Sequence, residues 1–527
     1  MTDSVIDQAE QATHPSLAGG LPFPESELDT KQGLAIEAVD GALRQASRRV
    51  SDGPGTPSAA PIILMLEGGP GCGKSAVTQL LVHKLVSRRV RVLVTATTAT
   101  AARRLGLSPA NTAHSAMQLP RRGPLLPMLP RTAATLALQM ADIVVVDECS
   151  MLTAQLLDAI AYRLATATAE GAPPKVLLLV GDLGQLPPIC EHGRNRGRRG
   201  AAARRRRPWL CPHCHLLRSA TFAAAKHLEL DCVHRHADDP ELSAFLHELR
   251  HGRPTSQRLH EVLGDCFRPA DDLPRLLDES AVVLCTHNRD VRAHNQTALA
   301  WHEQHGSLEG PIYEVAMEHD ADKAPPRARA NAAAWLGRKS FHLLSHVAIG
   351  CRVIYTFTQN KRTGATNSAT GTITAVDLAA ERPPCCPEAL RDQPWVQAVH
   401  VRLDGSGKTV RVSRTRTETK HDNGHAFTKR TFPLSLGYAM TAHRCQGATL
   451  KGTTILHVRS AFAPAQVYVM LSRVTSRRRL RVLGELTPEH FTPAGDEAFA
   501  AFDDMDVDDE GSEQSGDGPD SDMDTDD

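Results

Sequence analysis

A chain of 527 residues exceeds one ordinary domain and has the length to bury more than one core. With 41% apolar residues it fits a globular protein; no apolar run approaches the roughly 20 residues that cross a bilayer, and the first residues lack the basic-then-apolar layout of a secretion signal, so an intracellular protein is expected, neither secreted nor membrane-bound. Zero net charge conceals an asymmetry: residues 503–527 hold 13 Asp or Glu and no Lys or Arg, so residues 1–502 set all 60 basic residues against 47 acids, and this surplus of +13 suits a polyanion such as nucleic acid as well as it suits an Arg-rich solvated surface.

Residues 1–27, rich in Pro, Ser, Gly and acids, predict a flexible lead. Leu28 to Ala46 predicts a helix, with Leu28, Ile36, Val39 and Leu43 on one face and Asp29 or Thr30 as its cap. After a Gly/Pro/Ser loop at 51–60, the runs "PIILML", "RVLVTA", "DIVVVD", "KVLLLVG", "AVVLCT" and "TTILHV" alternate with longer helical stretches. Such runs suit strands covered on both faces, hence parallel sheets of an α/β fold; their grouping before about 190 and after about 280 predicts two domains. Between them, 194–208 carries eight arginines and no apolar pattern, a basic loop (191–210) open to three readings: a nucleic-acid contact, a nuclear-import address or a solvated insertion. The basic run 194–207 makes the expected location nuclear in a eukaryotic or viral setting, and cytoplasmic otherwise. Alternating residues and the "DGSG" turn within about 376–430 predict a small β insertion, and the acidic 496–527 a disordered tail.

"GGPGCGKS", 68–75, follows a strand and opens a helix, the context a phosphate-binding loop requires. Backbone N–H groups of Gly68, Gly69, Pro70's neighbours, Gly71, Cys72 and Gly73 wrap phosphates there, Lys74 reaches the β and γ phosphates, and Ser75 binds Mg²⁺. "DECSM" ends a buried strand with two carboxylates: Asp147 to hold the metal and Glu148 to orient or deprotonate water. "GDLGQLPP" brings Asp182 near the metal and Gln185 to the γ-phosphate, with Pro187 and Pro188 stiffening the exit.

These motifs, with "VTATTATAARRLG", "NTAHS", "PLSLGYAMTAHRCQGATL" and "AQVYVMLSRV", resemble superfamily 1 helicases of the Pif-one/RecD-like branch from about Leu28 to Leu480. The resemblance implies two RecA-like P-loop domains, taken as 28–230 and 231–495, with an SH3-like insertion in the second. It implies that Gln32 reads adenine, that Arg235 and Arg473 are cations acting on the γ-phosphate, and that Gln446 and Gly447 join the nucleotide cleft to nucleic acid. Strand contacts fall on Thr97, Thr98, His114, Ser115, Thr441 and His443, each of which has an alternative as a structural hydrogen-bonder. Three positions depart from the pattern: Ala99 for Gly, His236 for Gln and Arg444 for Lys.

The implied function is an ATP- and Mg²⁺-dependent motor that moves 5′ to 3′ on single-stranded DNA and opens duplex DNA, a tool open to DNA replication, repair and recombination. RNA or RNA–DNA hybrid is the alternative substrate. A non-unwinding interaction protein, docking basic proteins through its acidic tail, is the alternative of another class. "CPHCH", 211–215, stands outside the helicase pattern: Cys211 and Cys214, with Cys232 and His234, have zinc-ligand spacing, against the plainer reading of the twelve cysteines as reduced thiols.

Overall fold

The computed structural model describes residues 3–17, 23–51, 60–109, 111–120, 124–188, 215–319, 344–360, 363–382, 392–422 and 425–494. The basic loop, Cys211, Cys214 and the acidic tail lie outside them.

The first sheet has six parallel strands, in the order Asn111–Thr112, Val92–Ala96, Ile143–Asp147, Val176–Gly181, Ile62–Gly68, Lys226–Leu230. Because side chains alternate along a strand, each continuous apolar run feeds two cores. Leu64, Leu66, Val92, Val145 and Leu178 pack on one side with the helices Thr30–Ser51 and Lys74–Ser87. Met65, Leu93, Val144, Val146 and Leu179 pack on the other with the helix Ala154–Ala167. The helix at Thr30 is capped by Asp29, whose Oδ1 accepts from the Gln32 backbone N–H at 2.8 Å.

A second parallel sheet has five strands, ordered Ala439–Thr441, Val282–Cys285, Thr454–His457, Leu480–Leu483, Phe267–Arg268. These two sheets are the two RecA-like layers. An antiparallel five-stranded sheet lies between Arg352 and Leu436 in the chain, ordered Thr409–Ser413, Val396–Leu403, Thr370–Leu378, Arg352–Tyr355, Leu434–Leu436. It reaches beyond both ends of the 376–430 stretch. Its Val353, Ile373, Val399 and Leu434 share a core with Val283 and Ile455, so the insertion is seated on the second parallel sheet.

The expectation of a flexible lead over 1–27 is corrected. Asp3–Thr13 is a helix that buries Ala9 and Thr13, and Ser16–Leu17 pairs antiparallel with Leu107–Ser108. Two small buried residues are a weak pattern, and the burial comes from long-range packing. Lys226–Leu230 also escaped notice, because this edge strand leaves most of its side chains in water. No described helix is long and apolar enough to cross a membrane.

Candidate active site at the domain cleft

The phosphate loop bends through left-handed backbone at Gly71 (φ +87°) and Gly73 (φ +77°). A Cβ at Gly71 would stand 2.5 Å from the Arg235 Cβ, and one at Gly73 would stand 2.8 Å from the Gln32 amide nitrogen. Both glycines are therefore required twice, by conformation and by neighbours. Lys74 Nζ donates to the carbonyls of Gly68 at 2.6 Å and Gly69 at 2.8 Å, folded back onto its own loop. Ser75 is exposed in the first helical turn, and Cys72 is buried. Gln32 is buried, its amide 3.2 Å from the His234 ring. His234 is in turn tied through its backbone N–H to the Gly71 carbonyl at 2.9 Å.

Across the sheet edge, Asp147 is buried, and its carboxyl is pushed up to about 7, first by burial and then by Glu148. Glu148 turns the chain at φ +54°, and Thr97 Oγ1 donates to its carbonyl at 3.0 Å. A divalent cation fits this donor set. Asp147 and Ser75 offer hard oxygens, and the raised Asp147 carboxyl marks buried negative charge in want of a counter-charge.

Gln185 is buried and donates from Nε2 to Asp182 Oδ2 at 3.0 Å; its Oε1 has no hydrogen-bond partner among the described residues. Burial alone would raise the Asp182 carboxyl. Lys74, Arg250 and hydrogen bonds from Gln185 and Tyr468 hold it below the usual range instead.

The opposite wall comes from the second domain. Arg473 is buried, with Nε on the Val469 carbonyl at 2.9 Å and a second nitrogen on Ser472 Oγ at 2.6 Å. Arg235 donates to the Ser472 carbonyl at 3.1 Å and is pushed down to about 10, by burial and then by Arg473. His236 Nε2 lies 2.9 Å from the Val474 carbonyl, so consecutive side chains clasp both sides of Arg473. This departure from the family pattern thus keeps a hydrogen bond to the segment that carries Arg473. Gln446 leaves both amide atoms buried without partners among the described residues, beside Gly447 at φ +73°. The site gathers Lys74, Arg235 and Arg473 about the acids Asp147, Glu148 and Asp182 and leaves polar acceptors and donors open, a cradle suited to a polyphosphate.

A family model described as an AAA domain matches residues 37–191. The chain is 26% identical to the ATP-dependent DNA helicase Pif1 of Bdellovibrio bacteriovorus over 479 residues, covering 89% of this chain and 90% of that protein. It is 27% identical to the ATP-dependent DNA helicase PIF1 of Danio rerio over 64% of this chain, but spans only 46% of that relative's length. Among solved structures, Bacteroides Pif1 bound to ssDNA shares the fold, at TM-score 0.60 and 21% identity over 91% of this chain and 96% of that one. The chain is thus similar over most of its length to superfamily 1 helicases of the Pif1/RecD-like branch.

Within that family frame, the expected strand-contact residues fall into two groups. Thr97 Oγ1 is engaged with Glu148, and Thr98 caps the short helix Ala99–Arg104 by accepting from the Ala101 N–H at 3.1 Å. His114 and Ser115 sit on the short helix Ala113–Ala116, with Ser115 exposed. Thr441 ends a strand at the start of the helix Ala442–Cys445 and makes no side-chain cap, while burial lowers His443. Arg444, the Lys replacement, donates to Ser435 Oγ at 3.2 Å on the inserted sheet. Of the zinc-spaced residues, only Cys232 and His234 are described; with Asp29 they form a loose cluster against Gln32.

Three residues of the cleft escaped the motif reading. Arg104 donates to the Gln446 carbonyl at 2.8 Å, and its guanidinium lies 2.3 Å from where a Gly447 Cβ would stand, with Glu148 Oε1 3.2 Å from the same point. Arg250 is buried, 3.1 Å from Asp182 and in contact with Glu67, and Tyr468 donates to Asp182 at 3.0 Å. Arg250 lies outside every motif; Tyr468 lies within "YVMLSRV" as an apparently ordinary core aromatic.

Proposed function

We propose that the chain is an ATP-dependent DNA helicase that translocates 5′ to 3′ on single-stranded DNA and separates duplex DNA ahead of it. The observation that carries this reading is Arg235, packed on the phosphate loop at Gly71 and bonded to the Ser472 carbonyl beside Arg473. It brings the second domain's Arg473 to the side of the cleft that holds Lys74, Asp147 and Glu148, with Gln446 and Gly447 at the same cleft. Lys74 exchanges its loop carbonyls for the β and γ phosphates of ATP. Magnesium, held by Ser75 and Asp147, supplies charge neutralisation at the phosphate oxygens. Glu148 accepts a proton from the attacking water, while Gln185 accepts a hydrogen bond from that water through its unpaired Oε1. Arg235 and Arg473 meet the charge that develops on the transferring phosphoryl group, which favours a closed cleft.

Hydrolysis removes the group that both domains grip, so opening and closing become a cycle in which the strand contacts of each domain alternate. Direct phosphate contacts carry no sequence information, consistent with a motor that tracks any strand. The 5′-to-3′ direction and the preference for DNA over RNA rest on the family resemblance. Lys74→Ala is expected to abolish strand-stimulated ATP hydrolysis in a protein that keeps its circular dichroism spectrum and melting behaviour. Retained hydrolysis would remove the site assignment.

A further inference from the structure

Away from the cleft, three ligand-type side chains from separate segments meet at the carboxyl edge of the second parallel sheet. Cys285 and His457 end adjacent parallel strands and are register partners, which places their side chains on the same face. The helix Asn288–Gln304 covers that face, with Ala298 and Leu299 packed against Val283, Cys285 and Ile455. From this helix His294 brings Nε2 to 2.8 Å from His457 Nδ1, ring centroids 4.8 Å apart. The three ligand atoms, counting the Cys285 sulfur, all lie within 4.8 Å of one another.

A hydrogen-bonded histidine pair above a core thiol accounts for the ring contact alone. It leaves Asp290 unexplained: this side chain is 4% exposed, sits one helical turn before His294, and has Oδ2 buried without a hydrogen-bond partner among the described residues. Its other oxygen is 3.2 Å from Arg459 and 3.8 Å from Arg289.

We propose that Cys285, His294 and His457 bind a zinc-class divalent cation, with the Asp290 carboxylate one helical turn away tempering its charge. One sulfur and two imidazole nitrogens form a ligand set that soft and borderline cations favour over magnesium. Tetrahedral bonds of about 2.0–2.3 Å require ligand atoms roughly 3.3–3.7 Å apart, so the histidine pair opens by about half an ångström to admit the ion. On binding, the Cys285 thiol releases its proton to solvent, and the thiolate cancels one of the two positive charges, with Asp290, shared with Arg459 and Arg289, screening part of the other. Cys285 is also the register partner of Thr441 on its other side. The ion therefore pins two strands and a helix beside a residue placed on the strand-binding side, and its binding is independent of ATP chemistry.

Cobalt(II) titration of the full chain tests this, in a Cys211→Ser/Cys214→Ser background that removes the competing thiol pair. The expected result is one cobalt per chain, with a thiolate charge-transfer band and tetrahedral ligand-field bands, and a raised Tm. Cys285→Ser should abolish the charge-transfer band, and His294→Gln and His457→Gln should each weaken binding by about tenfold or more while the protein stays folded. If Cys285→Ser does not fold, the two partly exposed histidines still decide the matter. No cobalt spectrum, or a spectrum unchanged by both histidine variants, overturns the proposal.

Discussion

At the residue scale, the chemistry turns on acids that the fold holds in uncomfortable places. Glu148 adopts φ +54°, a conformation that costs an L-residue on the order of 1 kcal/mol, and Thr97 fastens the carbonyl that results. Asp147, raised to about 7, holds its proton more tightly in the folded than in the unfolded chain. Its contribution to stability is therefore complete below the ordinary carboxylate range and is lost as pH climbs through about 7. Without magnesium, Tm should fall between about pH 5 and pH 8. In Asp147→Asn that slope should flatten, with Tm at pH 8 raised by at least about 2–4 °C, while magnesium-dependent hydrolysis disappears. A wild-type Tm that stays level across this range, or an active variant, would show that Asp147 is neither strained nor a metal ligand. These two carboxylates were legible in "DECSM" because a strand end followed by acids is a local pattern. The backbone conformation that aims Glu148 was not, since it depends on contacts from Thr97.

At the element scale, the helix Pro240–His251 joins the two domains electrostatically. Arg250 contacts Asp182 and Glu67, which lie on the exits of adjacent strands of the first sheet, while Phe245, Leu246 and Leu249 of the same helix pack in the second domain's core. Leu186, next to Gln185, packs in that core too. Movement at Gln185 thus reaches the second domain through Leu186 and through the Tyr468 bond to Asp182, a route in addition to the stiff Pro187–Pro188 exit. Glu67 is raised by burial despite Arg250, and Asp182 stays low because it has Lys74 and two hydrogen bonds as well. Arg250→Ala leaves the buried Asp182 and the half-buried Glu67 without the guanidinium they share and should cost about 3–5 kcal/mol by chemical denaturation, with partial recovery in Arg250→Lys. A loss below about 1 kcal/mol would mean water already screens the cluster. The strands themselves were readable as continuous apolar runs. Arg250 was not, because a lone basic residue at the end of an amphipathic helix reads as a solvated charge until the partner strands are in place.

At the scale of the whole molecule, two parallel sheets and an antiparallel insertion were foreseeable in outline, since buried strands, their spacing and the phosphate loop are all local signals. What the sequence hid is how the parts meet: the N-terminal helix Asp3–Thr13 seated on the first domain, and Arg104 reaching the Gln446 carbonyl across the cleft. Burial and then Arg473 lower the Arg104 pKa, so three guanidinium groups converge where an anionic substrate relieves their repulsion. Charge is also divided over the whole chain, with 13 acids in residues 503–527 against a basic remainder. Removing that segment should tighten single-stranded DNA binding at low salt, with the gain shrinking as ionic strength rises; equal affinities at all salt concentrations would make the segment a bystander. The central claim is that one cleft converts ATP hydrolysis into strand separation. Strand displacement on 5′-tailed, 3′-tailed and forked DNA, with wild type beside Arg473→Ala, tests it most directly. Wild type is expected to unwind 5′-tailed and forked substrates with ATP, and Arg473→Ala to bind ATP yet lose turnover by about 10³-fold or more and unwind nothing. Vigorous ATP hydrolysis with no strand separation on any substrate, or unwinding that survives Arg473→Ala, would contradict it.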